Sequence, residues 1–155
     1  MVQRIIITFL LTVCYLYAPA VGFVGCSISA DHFLYPLCHA NIFHLLGNIL
    51  CLWMLRCPLY IPTTFVCAAL CSFLPCLSTE PTMGFSGVLF SMAGISWGRT
   101  GRFIDMCRKC LPFVLITLLI PNVNALIHLY CLMAGYLIGL TGIKDPLAKL
   151  DPYAP

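Results

Sequence analysis

Charge is scarce in this sequence. Asp, Glu, Lys and Arg make up only 8% of it, against about a quarter of an ordinary soluble domain. The acids number five, Asp31, Glu80, Asp105, Asp145 and Asp151. None sits inside a long apolar run, so the paired membrane carboxylates of an aspartyl protease are excluded. There is no H-E-x-x-H, which removes a zinc metalloprotease of that type. No Lys/Arg run is interleaved with aromatics, and a net charge of +3 is too small and scattered for nucleic acid. No metal or other cofactor is called for.

What remains is apolar. Hydrophobic residues make up 61% of the chain and the mean hydropathy is +1.00. A domain of 155 residues leaves much of its surface exposed, so its core cannot absorb this content, whereas lipid can. The expectation is one all-α membrane domain over residues 1–155. The eleven cysteines lie mostly in apolar runs and read as small, soft core residues. Cys107-Arg-Lys-Cys110 is half a zinc site at best. Cys26, Cys38 and Cys76 fall where they could meet outside a membrane, but sequence does not pair them.

A spanning helix needs about 20 mostly apolar residues. Uncharged runs at Ile5–Ala30, Cys57–Thr79 and Pro81–Gly98, with Phe33–Leu55 broken only by His39 and His44, supply four. The run from Cys110 to Ile143 would measure roughly 50 Å as one helix. Pro121-Asn122-Val123-Asn124 reads as a turn that divides it. Six spans are therefore predicted, at about 5–25, 39–55, 59–77, 84–98, 110–121 and 125–142. A cleaved signal segment is the alternative for the first, from Arg4 and Ala18-Pro19-Ala20.

Positive charge belongs on the cytoplasmic side. With the N-terminus inside, Arg4, Arg56, Arg99, Arg102, Arg108, Lys109, Lys144 and Lys149 all fall there, and both termini are cytoplasmic. Trp53 and Trp97 precede inner arginines as interfacial anchors do. The outer ends of spans two, four and six carry His39, His44 and Asn48, then Gly84-Phe85-Ser86-Gly87, then His128. Helix rise puts Ser86, His128 and His44 about 4, 6 and 8 Å from the outer ends.

A serine hydroxyl becomes a nucleophile beside a base, and His128 can serve Ser86. His44 and Asn48 are four apart and share a helix face, where they can donate to an oxyanion alongside the Ser86 backbone N–H. Without an acid at that depth, a Ser–His dyad is the arrangement allowed. Gly87, Ser91, Gly94 and Gly98 on span four, and Gly135, Gly139 and Gly142 on span six, would let those helices approach closely. Taken singly, each polar residue has a plainer reading as a satisfied buried group or as interhelical glue.

His39-x₄-His44-x₃-Asn48, Gly84-Phe85-Ser86-Gly87, and His128 followed by Gly135 and Gly139 together resemble the rhomboid family of intramembrane serine proteases. The resemblance covers residues 5–142. It implies a six-transmembrane-helix rhomboid-like bundle in the plasma (inner) membrane, with the active site open to the outer side. It implies Ser86 as nucleophile, His128 as base, and His44 and Asn48 as oxyanion donors, supported by Gly84, Gly87 and His39. Its substrates would be transmembrane proteins in the bilayer, cut near the outer end of a spanning helix. Phe90 stands where many members carry a Tyr that stacks on the base, Cys131 where a Gly is common, and the family's Trp-Arg loop pair is absent. The competing readings are an inactive rhomboid-like protein that binds membrane helices, and a small transporter using Cys and His.

Overall fold

The computed structural model describes residues 1–26, 28–55, 57, 59–75, 80–120 and 123–142. Arg56, Cys76, the Pro121-Asn122 half of the expected turn, and Lys144, Asp145, Lys149 and Asp151 lie outside them. Among the described residues the fold is helical: α1 Val2–Tyr17, α2 Asp31–Leu34, a 3₁₀ turn Tyr35–Leu37, α3 Ile42–Met54, α4 Ile61–Cys71, α5 Ser86–Gly98, α6 Phe103–Leu118 and α7 Ala125–Leu140.

The six-span bundle is not what forms. No single described helix is long and apolar enough to cross a membrane. The longest have 16 residues, about 24 Å at 1.5 Å per residue, against a hydrocarbon core of about 30 Å. One bent pair, Asp31–Leu37 with Ile42–Met54, passes the length and hydropathy test together, across an 80° break. The uncharged runs are longer than the helices because backbone caps and breaks interrupt them. Pro19 forces Ala18 into extended backbone (φ −90°, ψ 148°), so the first helix stops at Tyr17 rather than near 25. The span expected at 39–55 begins only at Ile42, where the Asn41 side chain caps the helix by accepting from the His44 N–H at 2.9 Å. The span expected at 59–77 ends at Cys71, where the Ser72 hydroxyl bonds back to the Ala69 carbonyl. The fifth is displaced: α6 begins at Phe103 and carries Arg108 and Lys109 inside it, where charge had suggested a loop. The last helix ends at Leu140, and Gly142 turns with φ +66°.

The centre of the fold is the α5–α7 pair. A methyl group added at Gly94 would overlap the Leu132 carbonyl oxygen, and one at Gly98 that of Tyr136. One at Gly135 would overlap the Ser91 carbonyl oxygen, and one at Gly139 that of Ile95. The two backbones therefore touch along four successive positions, with no side chain between them. Around this pair Val88, Met92, Ile95, Cys131 and Leu132 are fully buried. Tyr35 and α4 close the near side, with the Tyr35 hydroxyl donating to the Ala68 carbonyl at 3.1 Å.

α1 attaches through its arginine. Arg4 sits in the first turn of α1. It is buried, and its guanidinium donates to the carbonyls of Leu52, Leu55 and Cys57 at 3.2, 2.7 and 3.1 Å. Those are orphan acceptors at and beyond the C-terminus of α3, where a cation also meets the negative end of the helix dipole.

The outward faces are apolar. Phe9 on α1, Phe43 and Leu50 on α3, Leu70 on α4, Phe113, Ile116 and Leu118 on α6, and Leu137 on α7 are all well exposed. No disulfide forms among the described cysteines: Cys26 is exposed, while Cys38 is buried with its thiol directed at the Pro19 carbonyl.

Candidate functional site

The site lies at the N-terminal ends of α5 and α7. Gly84 precedes it with φ +121°, a backbone conformation open essentially to glycine alone. Its N–H donates to the Tyr35 carbonyl at 2.9 Å, which fixes the chain as it enters α5. Ser86 is then the first residue of the helix. The first hydrogen bond of α5 runs from the Leu89 N–H to the Phe85 carbonyl. The N–H groups of Ser86 and Gly87 therefore precede the helical ladder, at its positive end.

Ser86 Oγ is 2.8 Å from His128 Nε2. His128 occupies the first turn of α7 and is buried. The Phe90 ring, one turn along α5 from Ser86, stacks on the imidazole at 4.7 Å and 24°. On the far side of that ring, His128 Nδ1 is 3.2 Å from the Thr117 hydroxyl of α6. Three helices thus meet at one imidazole.

His44 and Asn48 lie together on α3, where the Asn48 amide donates to the His44 carbonyl at 3.1 Å. Both side chains face Gly84. A methyl group there would stand 2.5 Å from His44 Cε1, 2.6 Å from His44 Nε2 and 3.6 Å from Asn48 Nδ2. Gly84 therefore supplies a backbone conformation and also the space the His44 ring fills. Gly87 supplies space on the opposite side. A methyl group on it would come 2.9 Å from the Tyr35 hydroxyl and 3.3 Å from Cys131 Sγ, so Cys131 packs into the gap that Gly87 leaves rather than prising α5 and α7 apart. His39 precedes α3, buried, with its ring edge-on to His44 at 5.2 Å. Neither of its ring nitrogens has a hydrogen-bond partner among the described residues.

Two connections hold these ends together. Phe23 and Thr82 form an isolated antiparallel bridge, with N–H···O bonds of 3.1 and 2.9 Å. The Asn124 side chain donates to the Thr82 hydroxyl at 3.0 Å and caps α7 by accepting from the Ile127 N–H. The segment before α5 and the start of α7 are thereby joined directly.

A second serine–histidine pair provides an internal comparison. His32 Nδ1 is 2.7 Å from Ser72 Oγ, and both residues are fully buried. The Ser72 hydroxyl gives its hydrogen to the Ala69 carbonyl at 2.6 Å, so towards His32 it only accepts. The histidine is also stacked between Phe23 and Phe73, at 4.7 and 4.0 Å. This pair has its proton aimed the wrong way for a nucleophile, and both side chains are shut off from solvent. Ser86 remains partly exposed.

Sequence reasoning named neither Thr117 nor His32. Thr117 sits in an apolar run where a lone threonine usually bonds its own helix backbone, and it does so, donating to the Val114 carbonyl at 2.6 Å. A search confined to acids passes over it. The described residues contain no group of His, Cys, Asp and Glu able to hold a metal ion. No protein-family model, curated protein or solved structure matches the chain.

Proposed function

We propose that the chain is a serine endopeptidase that cuts helical segments of membrane proteins through a Ser86–His128 dyad. The observation that carries this reading is the 2.8 Å contact between Ser86 Oγ and His128 Nε2 at the start of a helix. In the reaction the Ser86 oxygen attacks the scissile carbonyl carbon while His128 Nε2 takes the hydroxyl proton. The resulting oxyanion is met by the backbone N–H groups that open α5, with His44 and Asn48 as side-chain donors from α3. His128 then returns the proton to the leaving amine, and the C–N bond breaks. Water, deprotonated by the same imidazole, then attacks the acyl carbon, and His128 returns that proton to the Ser86 oxygen as the ester bond breaks.

The lipid setting is supported by two features. The outward faces of α1, α3, α6 and α7 carry large apolar residues, and charge is rare throughout. The short helices do not require a regular set of crossings. They require that the apolar shell sit in or against lipid, with local thinning of the kind short segments induce. Arg99 and Arg102 lie at the end of α5 away from Ser86, and Trp97 gathers Arg102 and Lys109 within 5.9 and 5.1 Å of its ring. By the positive-inside tendency that end faces the cytoplasm and the dyad faces outward. A helical substrate hides its peptide carbonyls in its own hydrogen bonds, so it must unwind before attack. The likeness of the His44, Ser86 and His128 motifs to those of rhomboid proteases supports the same substrate class.

The test is direct. Full-length protein in liposomes is given a fluorophosphonate probe and, separately, a single-span model substrate. Wild type becomes labelled and cleaves the substrate, while Ser86→Ala and His128→Ala do neither. Cleavage by Ser86→Ala equal to wild type eliminates the dyad. Absence of labelling and cleavage in folded wild type, with the substrate helix retained, favours a binding protein instead.

A further inference from the structure

The dyad has a third partner on another helix, and the directions of its hydrogen bonds can be worked out from the acceptors alone. The Val114 carbonyl can only accept. Thr117 Oγ1 is 2.6 Å from it, so the single hydroxyl hydrogen of Thr117 points there. Towards His128, 3.2 Å away, Thr117 therefore offers only a lone pair. The contact is a hydrogen bond only when Nδ1 of His128 carries the hydrogen. A neutral imidazole has one N–H, which leaves Nε2 bare. Nε2 is the atom 2.8 Å from Ser86 Oγ, and a bare nitrogen there accepts the serine hydrogen. The chain of donation runs from Ser86 to His128 to Thr117 to the Val114 backbone, all in one direction.

We propose that Thr117 is a positioning residue of the dyad, holding His128 in the Nδ1–H tautomer with Nε2 turned to Ser86. This rests on the endopeptidase reading of Ser86 and His128. It fills the place that a buried carboxylate fills in a triad, where the third member orients the imidazole and stabilises the cation that forms on it. A hydroxyl does this without charge, which suits a site with no acid beside it: Asp105, the acid on α6, lies three turns away, paired with Arg102 at the other end. During attack Nε2 gains its proton and the imidazolium donates from both nitrogens. Thr117 still accepts at Nδ1, so no bond at that atom has to be broken or remade. The His32–Ser72 pair shows the reverse: there the serine itself takes the accepting place, with its hydrogen on Ala69.

The experiment uses the full chain in liposomes with ¹⁵N-labelled imidazoles. The sequence has four histidines, so His128 is assigned by difference from His128→Gln. In wild type the nitrogen shifts of His128 report a neutral ring protonated at Nδ1. Thr117→Val keeps the branched shape and removes the acceptor. It is expected to lose that signature and to lower kcat about 10- to 100-fold, the range for a buried donor left without its acceptor, with KM within about twofold. Thr117→Ser keeps the oxygen and is expected to restore both the signature and most of kcat. The proposal is overturned if wild-type His128 is protonated at Nε2, if Thr117→Val leaves kcat unchanged, or if Thr117→Ser is as impaired as Thr117→Val. Should Ser86→Ala prove fully active, the functional reading fails alone, and the tautomer of His128 in wild type and Thr117→Val still decides the role of Thr117.

Discussion

Replacing Gly84 with Ala tests how the oxyanion side of the site is built. The substitution acts in two ways. At φ +121° an L side chain is strained, at a cost of about 1–3 kcal/mol. The new methyl would also stand 2.5 Å from the His44 ring. Restoring ordinary contact at 3.4 Å moves that ring by about 0.9 Å. Misplacement of about 1 Å in a catalytic constellation can cost on the order of 10²-fold in rate, and loss of one oxyanion donor about 10²–10³-fold. The expected result is a protein that folds, is destabilised by about 1–3 kcal/mol, and cleaves a model substrate about 10²-fold more slowly. The assay is a double-mutant cycle on kcat/KM with Gly84→Ala, His44→Ala and both together. If the methyl acts by displacing His44, the double variant is little worse than His44→Ala, because the damaged element is already gone. Full additivity, or wild-type rates in Gly84→Ala, would refute the displacement argument and leave Gly84 with a backbone role only.

Five further substitutions probe other parts. Phe90→Ala removes the ring stacked on His128, and a loss of about 0.5–1.5 kcal/mol of aromatic contact is expected to slow cleavage roughly 2- to 10-fold while fluorophosphonate labelling persists. Arg4→Met leaves the α3 carbonyls without their charged donor; hydrogen bonds of that kind contribute about 1.5–3 kcal/mol each, and thermal unfolding in detergent should shift down clearly, with an unchanged midpoint counting against the capping role. Gly94→Val and Gly135→Val each drive a side chain into a facing carbonyl, and neither should yield folded protein, whereas Gly47→Val, where nothing lies within 4 Å of the added atom, should fold as wild type.

The parts of the site that were legible in the sequence share a physical cause: each is costly in an apolar chain unless it has a purpose. Ser86, His128, His44 and Asn48 stood out because polar groups in such surroundings need partners. Gly94, Gly98, Gly135 and Gly139 stood out because their spacing places them on one face, and that face is where α5 and α7 meet. Gly142 had the same spacing but serves a turn beyond α7. The helix lengths were not legible from hydropathy, which counts apolar residues and is blind to backbone termination. α1 stops before Pro19 and α4 stops at Cys71, inside runs that remain apolar for several residues more. Charge misled in the opposite sense, because Arg108 and Lys109, expected in a loop, lie within α6. Thr117 and His32 could not be assigned from sequence, since each depends on which hydroxyl hydrogen points where, and that is settled only by a neighbouring carbonyl.

The contact between α5 and α7 also bears on how this protein tolerates change. Ser86 and His128 are spaced by two main chains in direct touch, so their separation is set by peptide geometry and four glycines rather than by the fit of a hydrophobic core. Substitutions on the outward faces of α1, α3 and α6 alter the shell without entering that seam. A library randomised over Phe9, Leu50, Phe113 and Ile116, all exposed, with other apolar residues should keep its dyad geometry across most members. The sequence can therefore drift widely in its outer coat, adapting to a different surrounding medium, while its chemistry stays anchored to a few positions that admit no side chain at all.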